Sequence, residues 1–161
     1  MKKLLLLLLF SLPTLAQDGF RNEKGDLIWE HTYPATVNMQ ATIDRQPKLE
    51  VITFFNDTYT GKGNDVKNTC GGAVLMKNDC KFDFTIRKNN GNYIVTVTNL
   101  RLIERLGPMR ARVIESRCEK YLVDATLKVK KDPRSQNDIN CLNNFLTGVF
   151  GGTMNSALTA K

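Results

Sequence analysis

Histidine is nearly missing from this chain of 161 residues: His31 is the only one, and Trp29 is the only tryptophan. A single imidazole excludes a histidine-rich metal centre, and any Ser–His or Cys–His device would have to use it. The four cysteines, Cys70, Cys80, Cys118 and Cys141, are separated by nine, 37 and 22 residues. That spacing fits neither a zinc knuckle nor a redox-active dithiol, so no metal and no cofactor is expected. Gly61-Lys62-Gly63 is too short for a phosphate loop. Asp79 with Asp83, and Glu115 with Glu119, carry no spacing that fixes a catalytic carboxylate pair. The sequence therefore offers no catalytic constellation, and a non-enzymatic role is expected.

Long apolar runs are also absent after the first sixteen residues. Within them, Lys2 and Lys3 precede the unbroken run Leu4 to Phe10, and Ser11 to Ala16 ends it on a small residue. This is the pattern of a bacterial-style signal peptide cleaved before Gln17. The run is too short to span a bilayer, and the first cysteine, Cys70, is far from any lipid-attachment point, so no membrane anchor is expected. The expected location is periplasmic or secreted. In such an oxidising compartment the four cysteines predict two disulfides, with three possible connectivities. Of these the sequence favours Cys118–Cys141, which would pin the last helix to the strand region before it.

Acidic residues are in deficit, and the net charge is +7. Without residues 1–16 the chain keeps 21 basic and 16 acidic side chains. The excess lies within residues 101–134, which hold ten basic residues and five acidic ones. Arg110, Arg112, Lys128 and Lys130 are the candidate binding residues of this segment, suited to an acidic envelope protein or an anionic glycan. Nucleic acid is disfavoured, because the arginines come without interleaved aromatics.

Residues 17–26 read as a flexible lead-in. Leu27 to Tyr33 alternates as a strand stopped by Pro34, with Leu27, Trp29, His31 and Tyr33 on one face. His31 there reads as a structural residue. Residues 36–45 fit either a strand or a short helix capped by Asn38. Lys48 to Phe55 is β-rich, Gly61 to Asp65 reads as a loop, and Ala73 to Met76 as a short strand. Lys81 to Arg87 and Tyr93 to Leu100 alternate around Asn90-Gly91, a strong hairpin signal. Ala111 to Ile114 and Tyr121 to Val129 are further expected strands. After Pro133 the period changes. Ile139, Leu142, Leu146 and Val149 form one helical stripe, with Ser135 as expected N-cap and Gly151-Gly152 as stop. Residues 153–161 read as a frayed tail. The expected architecture is a single α+β domain over residues 27–152, a mainly antiparallel sheet with an amphipathic C-terminal helix on one face.

The strand motifs Leu27-Ile28-Trp29-Glu30, Phe82-Asp83-Phe84-Thr85-Ile86 and Asn92 to Leu100 resemble a group of secreted bacterial domains of unknown function. The resemblance covers about residues 27 to 150 and implies a TATA-binding-protein-like fold. The group has a longer amphipathic helix than residues 36–45 supply. It has no established activity, so no functional residue carries over.

Three functions follow as expectations. The first is an exported, non-enzymatic domain binding an envelope or extracellular protein. The second is a carrier of a small apolar ligand held between sheet and C-terminal helix. The third is a polyanion binder using the basic segment 101–134.

Overall fold

A computed structural model describes residues 19–68, 70 and 73–152, with backbone only at Val74 and Leu75. The expected signal peptide, residues 1–16, and the expected frayed tail, residues 153–161, lie outside the described residues. The strands are β1 (Gly19–Glu23), β2 (Asp26–Pro34), β3 (Leu49–Phe55), β4 (Thr58–Val66), β5 (Asp79–Asn89), β6 (Asn92–Leu106) and β7 (Arg112–Arg117). Three helices accompany them: α1 (Met39–Asp44), the single turn α2 (Glu119–Leu122) and α3 (Pro133–Gly151). The fold class is α+β.

All the strand pairs are antiparallel, in the order β1-β2-β6-β5-β4-β3. The fifteen-residue β6 carries two neighbours along one edge. Residues 92–97 pair with β2, residues 101–106 pair with β7, and β5 runs along the other edge.

Alternation along the strands puts Leu27, Trp29, Phe82, Phe84, Val95 and Val97 on one face, all buried. Helix α3 covers it with Ile139, Leu142, Phe145, Leu146, Val149 and Phe150. The Phe150 ring lies 5.5 Å from Phe84 and 6.2 Å from both Trp29 and Phe82. Each such ring contributes about 1.5–3 kcal/mol through burial. The polar ends of the buried aromatics are satisfied by the same helix. Trp29 Nε1 donates to Asn143 Oδ1 at 2.7 Å, and the Tyr33 hydroxyl donates to the Thr147 carbonyl at 3.0 Å.

The β5–β6 hairpin and the C-terminal helix form as the sequence predicts. Residues 36–45 resolve to helix, because Asn38 Oδ1 accepts from Ala41 N at 2.9 Å and buries Met39 and Ile43. Several expectations are corrected. From Gly19 the supposed lead-in is strand β1, closed onto β2 by a two-residue turn in which Lys24 (φ 53°) and Gly25 (φ 99°) are both left-handed. The supposed loop 61–65 is the middle of β4. Gly61 and Gly63 lie opposite Phe84 and Phe82, and a Cβ on either glycine would come within 2.5 Å of the facing ring. The rings thus cover the bare backbone, which is why glycine is strand-compatible here.

Residues 74–77 are a 3-10 turn instead of a strand. Residues 121–129 are not a strand either. They comprise the end of α2 and a loop, in which Asp124 Oδ1 accepts from Thr126 N at 2.8 Å and Lys128 N at 3.0 Å. The N-cap of α3 is Asp132 instead of Ser135. Pro133 takes the first helical position, and Asp132 Oδ1 accepts from Ser135 N at 3.0 Å.

The favoured Cys118–Cys141 bridge is absent. Cys141 of α3 is bonded to Cys70, with Cα atoms 5.4 Å apart and a sequence separation of 71. Cys80 and Cys118 are buried free thiols, so the expectation of two disulfides is also corrected. The reason lies in the sheet. Cys80 is opposite Leu102 on one side of β6, while Cys118 N donates to the Leu100 carbonyl on the other. Two strand spacings, about 10 Å, separate their Cα atoms, too far for a bridge without backbone movement, although Cys80 is near enough to add to burial in raising the Cys118 thiol. Burial, followed by the nearby Asp79, pushes the Cys80 thiol up to about 12, and burial also raises Cys118.

Candidate functional site

The face of the sheet opposite α3 is polar, and its shape is set by one irregularity. Pairing of β5 with β6 shifts between Lys81 and Asp83, so that Asn99 and Leu100 together oppose Phe82. Asn99 takes a left-handed conformation (φ 54°) to accommodate the extra residue. The bend leaves an open depression of about 210 Å³ lined by Lys62, Lys81, Phe82, Asp83, Asn99 and Arg101.

Its side chains form a chain of contacts. Asn99 Nδ2 donates to Asp83 Oδ2, and Arg101 Nε donates to Asn99 Oδ1, each at 3.1 Å. Arg101 Nη1 and Lys81 Nζ each lie 3.1 Å from a different oxygen of Glu115 on β7. The Lys81 hydrogen bond, followed by the one from Arg101, holds the Glu115 carboxyl below the usual glutamate range. Among the described residues Lys62 has no carboxylate within ion-pair distance.

The register adds a feature invisible in the sequence. Lys81 is directly opposite Arg101, and Arg101 is directly opposite Arg117, so three cations stand side by side across β5, β6 and β7. Like charges in direct cross-strand positions are destabilising. Arg117 is held by Glu119 Oε1 at 3.1 Å and Asp26 Oδ1 at 2.5 Å, which raise its pKa in that order.

A second surface lies at the sheet edge. Strand β3 is the terminal strand on its side, and Glu50 is its only charged residue. Val51, Ile52, Phe54 and Phe55 are all exposed, Phe55 by 73% and Ile52 by 55%. Register with β4 places Val51 and Phe54 on the α3 side and Phe55 on the polar side, so apolar groups flank the open backbone edge above and below. The Phe54 ring rests on Tyr59, with centroids 4.4 Å apart.

The four basic residues singled out in the sequence do not form one patch. Arg110 and Arg112 sit at the tip of the β6–β7 hairpin, beside the fully exposed Met109. Lys128 and Lys130 lie in the loop between α2 and α3. Most of the length of β7, about 17 Å at 3.3 Å per residue, separates the two pairs. His31 lies between Trp29 and Tyr33, with ring centroids at 5.8 Å and 4.7 Å. Among the described residues no cluster of metal-ligating side chains occurs, and no helix is long and apolar enough to cross a membrane.

Two solved structures are similar to this one. A DUF4468 family protein from Bacteroides ovatus matches with a TM-score of 0.49 and 11% identity, over 86% of this chain and 92% of its own. A TBP-like protein from Parabacteroides distasonis matches with a TM-score of 0.48 and 13% identity, over 83% of this chain and 96% of its own. The second is described by the same fold name that the strand motifs suggest. No family model and no curated protein matches the sequence.

Sequence reasoning missed both surfaces. The run Val51 to Phe55 carried a signal, since an apolar stretch without alternation marks a strand with both faces covered. The cation row carried none, because Lys81, Arg101 and Arg117 meet only through strand register.

Proposed function

We propose that this chain is an exported, non-enzymatic domain that binds an envelope or extracellular protein by adding a strand of its partner to β3. The observation carrying this reading is the open β3 edge with Ile52, Phe54 and Phe55 exposed beside it. Natural edge strands are normally blunted by charge, proline or cover, and β3 has only Glu50. A partner segment of extended, apolar sequence would take up the free backbone groups and cover the rings. Lys2 and Lys3 before the apolar run Leu4 to Phe10 support export, as does the Cys70–Cys141 disulfide. The apolar-carrier alternative gains no such support, since Phe150, Trp29, Phe82 and Phe84 fill the layer between sheet and α3.

The test uses the exported protein as bait against envelope fractions, beside the variant Ile52→Asp/Phe55→Asp. A partner should be captured by the wild type and lost with the variant, and a synthetic peptide of its cross-linked segment should protect β3 amides from exchange. Capture unchanged by the variant would sink the reading. So would a wild-type dimer in sedimentation that the variant abolishes, because β3 would then be occupied by a second copy.

A further inference from the structure

The geometry points to a binding site for an acidic sugar residue, a uronate, in the depression around Asn99 on the polar face. This site is separate from the β3 edge and does not depend on it. Three observations converge on it.

The first is the charge arrangement. Lys81 and Arg101 are direct cross-strand partners, with Arg117 next in the row. Lys62 on β4 adds an ammonium that makes no ion pair among the described residues, although Glu50 on β3 and Asp83 on β5 are its direct cross-strand neighbours. Glu115 is the one carboxylate bonded to Lys81 and Arg101, and one carboxylate leaves that pair with a net positive charge. Arg117 is already compensated by Glu119 and Asp26, so the charge left for an anion to offset is that of Lys81 and Arg101, which share the single Glu115.

The second is the mixture of groups. A site for a bare inorganic anion gains nothing from a carboxylate in its wall, yet Asp83 lines this one beside the Asn99 amide. Carboxylate and amide side chains recognise hydroxyl groups, as acceptors and as paired donor and acceptor. A ligand carrying one acid group and adjacent hydroxyls satisfies both halves: its carboxylate on Lys62, Lys81 and Arg101, its hydroxyls on Asp83 and Asn99.

The third is form. About 210 Å³ is the volume of roughly seven water molecules, room for one sugar ring instead of a stack of them. The depression opens to solvent, so the ring could belong to a longer chain. The bulge that creates the depression also turns Asn99 toward Asp83 and Arg101, joining the two halves of the site.

The test is a titration of the full protein, followed by amide chemical shifts, with sodium glucuronate, glucose and sodium sulfate as separate probes. Glucuronate is expected to saturate shifts of residues 62, 81–83 and 99–101 and to bind at least about tenfold more tightly than either other probe. Arg101→Gln and Lys62→Gln should each weaken glucuronate severalfold, with the denaturation midpoint of Lys62→Gln shifted only slightly, since its cross-strand neighbours Glu50 and Asp83 lie outside ion-pair distance. Arg110→Gln/Arg112→Gln should leave affinity unaltered. The proposal is overturned if glucuronate never saturates, if sulfate binds as tightly, or if the hairpin-tip variant weakens binding as much as Lys62→Gln.

Discussion

Lys81 of β5 and Arg101 of β6 are direct cross-strand partners, and Glu115 of β7 lies 3.1 Å from the head group of each. Their repulsion is thus managed by a third strand. Replacing Glu115 with Gln should destabilise the protein by about 0.2–1 kcal/mol, small because the groups are partly exposed. The Glu115 carboxyl is depressed in the folded state. Its stabilisation is therefore complete above the unfolded glutamate value and is lost as pH falls through the folded one. Urea denaturation should show a gap between wild type and variant near neutrality that closes below about pH 4.

Phe150 touches three aromatic rings from the sheet and is fully buried. Phe150→Ala should cost about 3–5 kcal/mol, measured by equilibrium denaturation. A loss below about 1 kcal/mol would mean that α3 does not seat on Trp29, Phe82 and Phe84 as described.

Gly61 and Gly63 make β4 dependent on what lies across from it. Gly61→Ala should destabilise by about 1–3 kcal/mol, because the new methyl meets the Phe84 ring and the Glu50 carbonyl. The double variant Gly61→Ala/Phe84→Leu should recover part of the loss attributed to the ring. Strict additivity of the two changes would remove that explanation.

The cysteines give a chemical test. Native protein should show almost no thiol reaction at neutral pH, since burial keeps Cys80 and Cys118 protonated. Unfolded without reductant, it should release two thiols, and Cys141→Ser should lose about 4 kcal/mol of stability. Finding no thiol after unfolding would require a second bridge and a different arrangement around β6.

What could be read from the sequence was local. Asn90-Gly91 between alternating runs specifies its hairpin within twenty residues, and the stripe Ile139 to Val149 specifies a helix within a dozen. Asp132-Pro133 was legible in principle as cap and first helical residue, yet Ser135 drew the prediction three positions on. Gly61 and Gly63 looked like a loop because their compensation, the Phe82 and Phe84 rings, belongs to another strand. The basic segment looked continuous because β7 is straight in sequence, whereas in space it holds Arg110 and Arg112 away from Lys128 and Lys130. The row Lys81–Arg101–Arg117 spans three strands and exists only as register.

Strand β6 serves two neighbours along one edge, and this constrains the order of assembly. Apart from β6, β2 pairs only with β1, and β7 pairs with no other described strand. The β5–β6 hairpin closes over a two-residue turn, so its loop-closure entropy is met first, before the pairing of β2 across some sixty residues of chain. Kinetically, Val95→Ala should slow folding, whereas Leu27→Ala at the start of β2 should mainly speed unfolding. In that sense Asn90-Gly91 is the chain's starting gun, and a substitution that delays this one turn should delay every later element by the same factor.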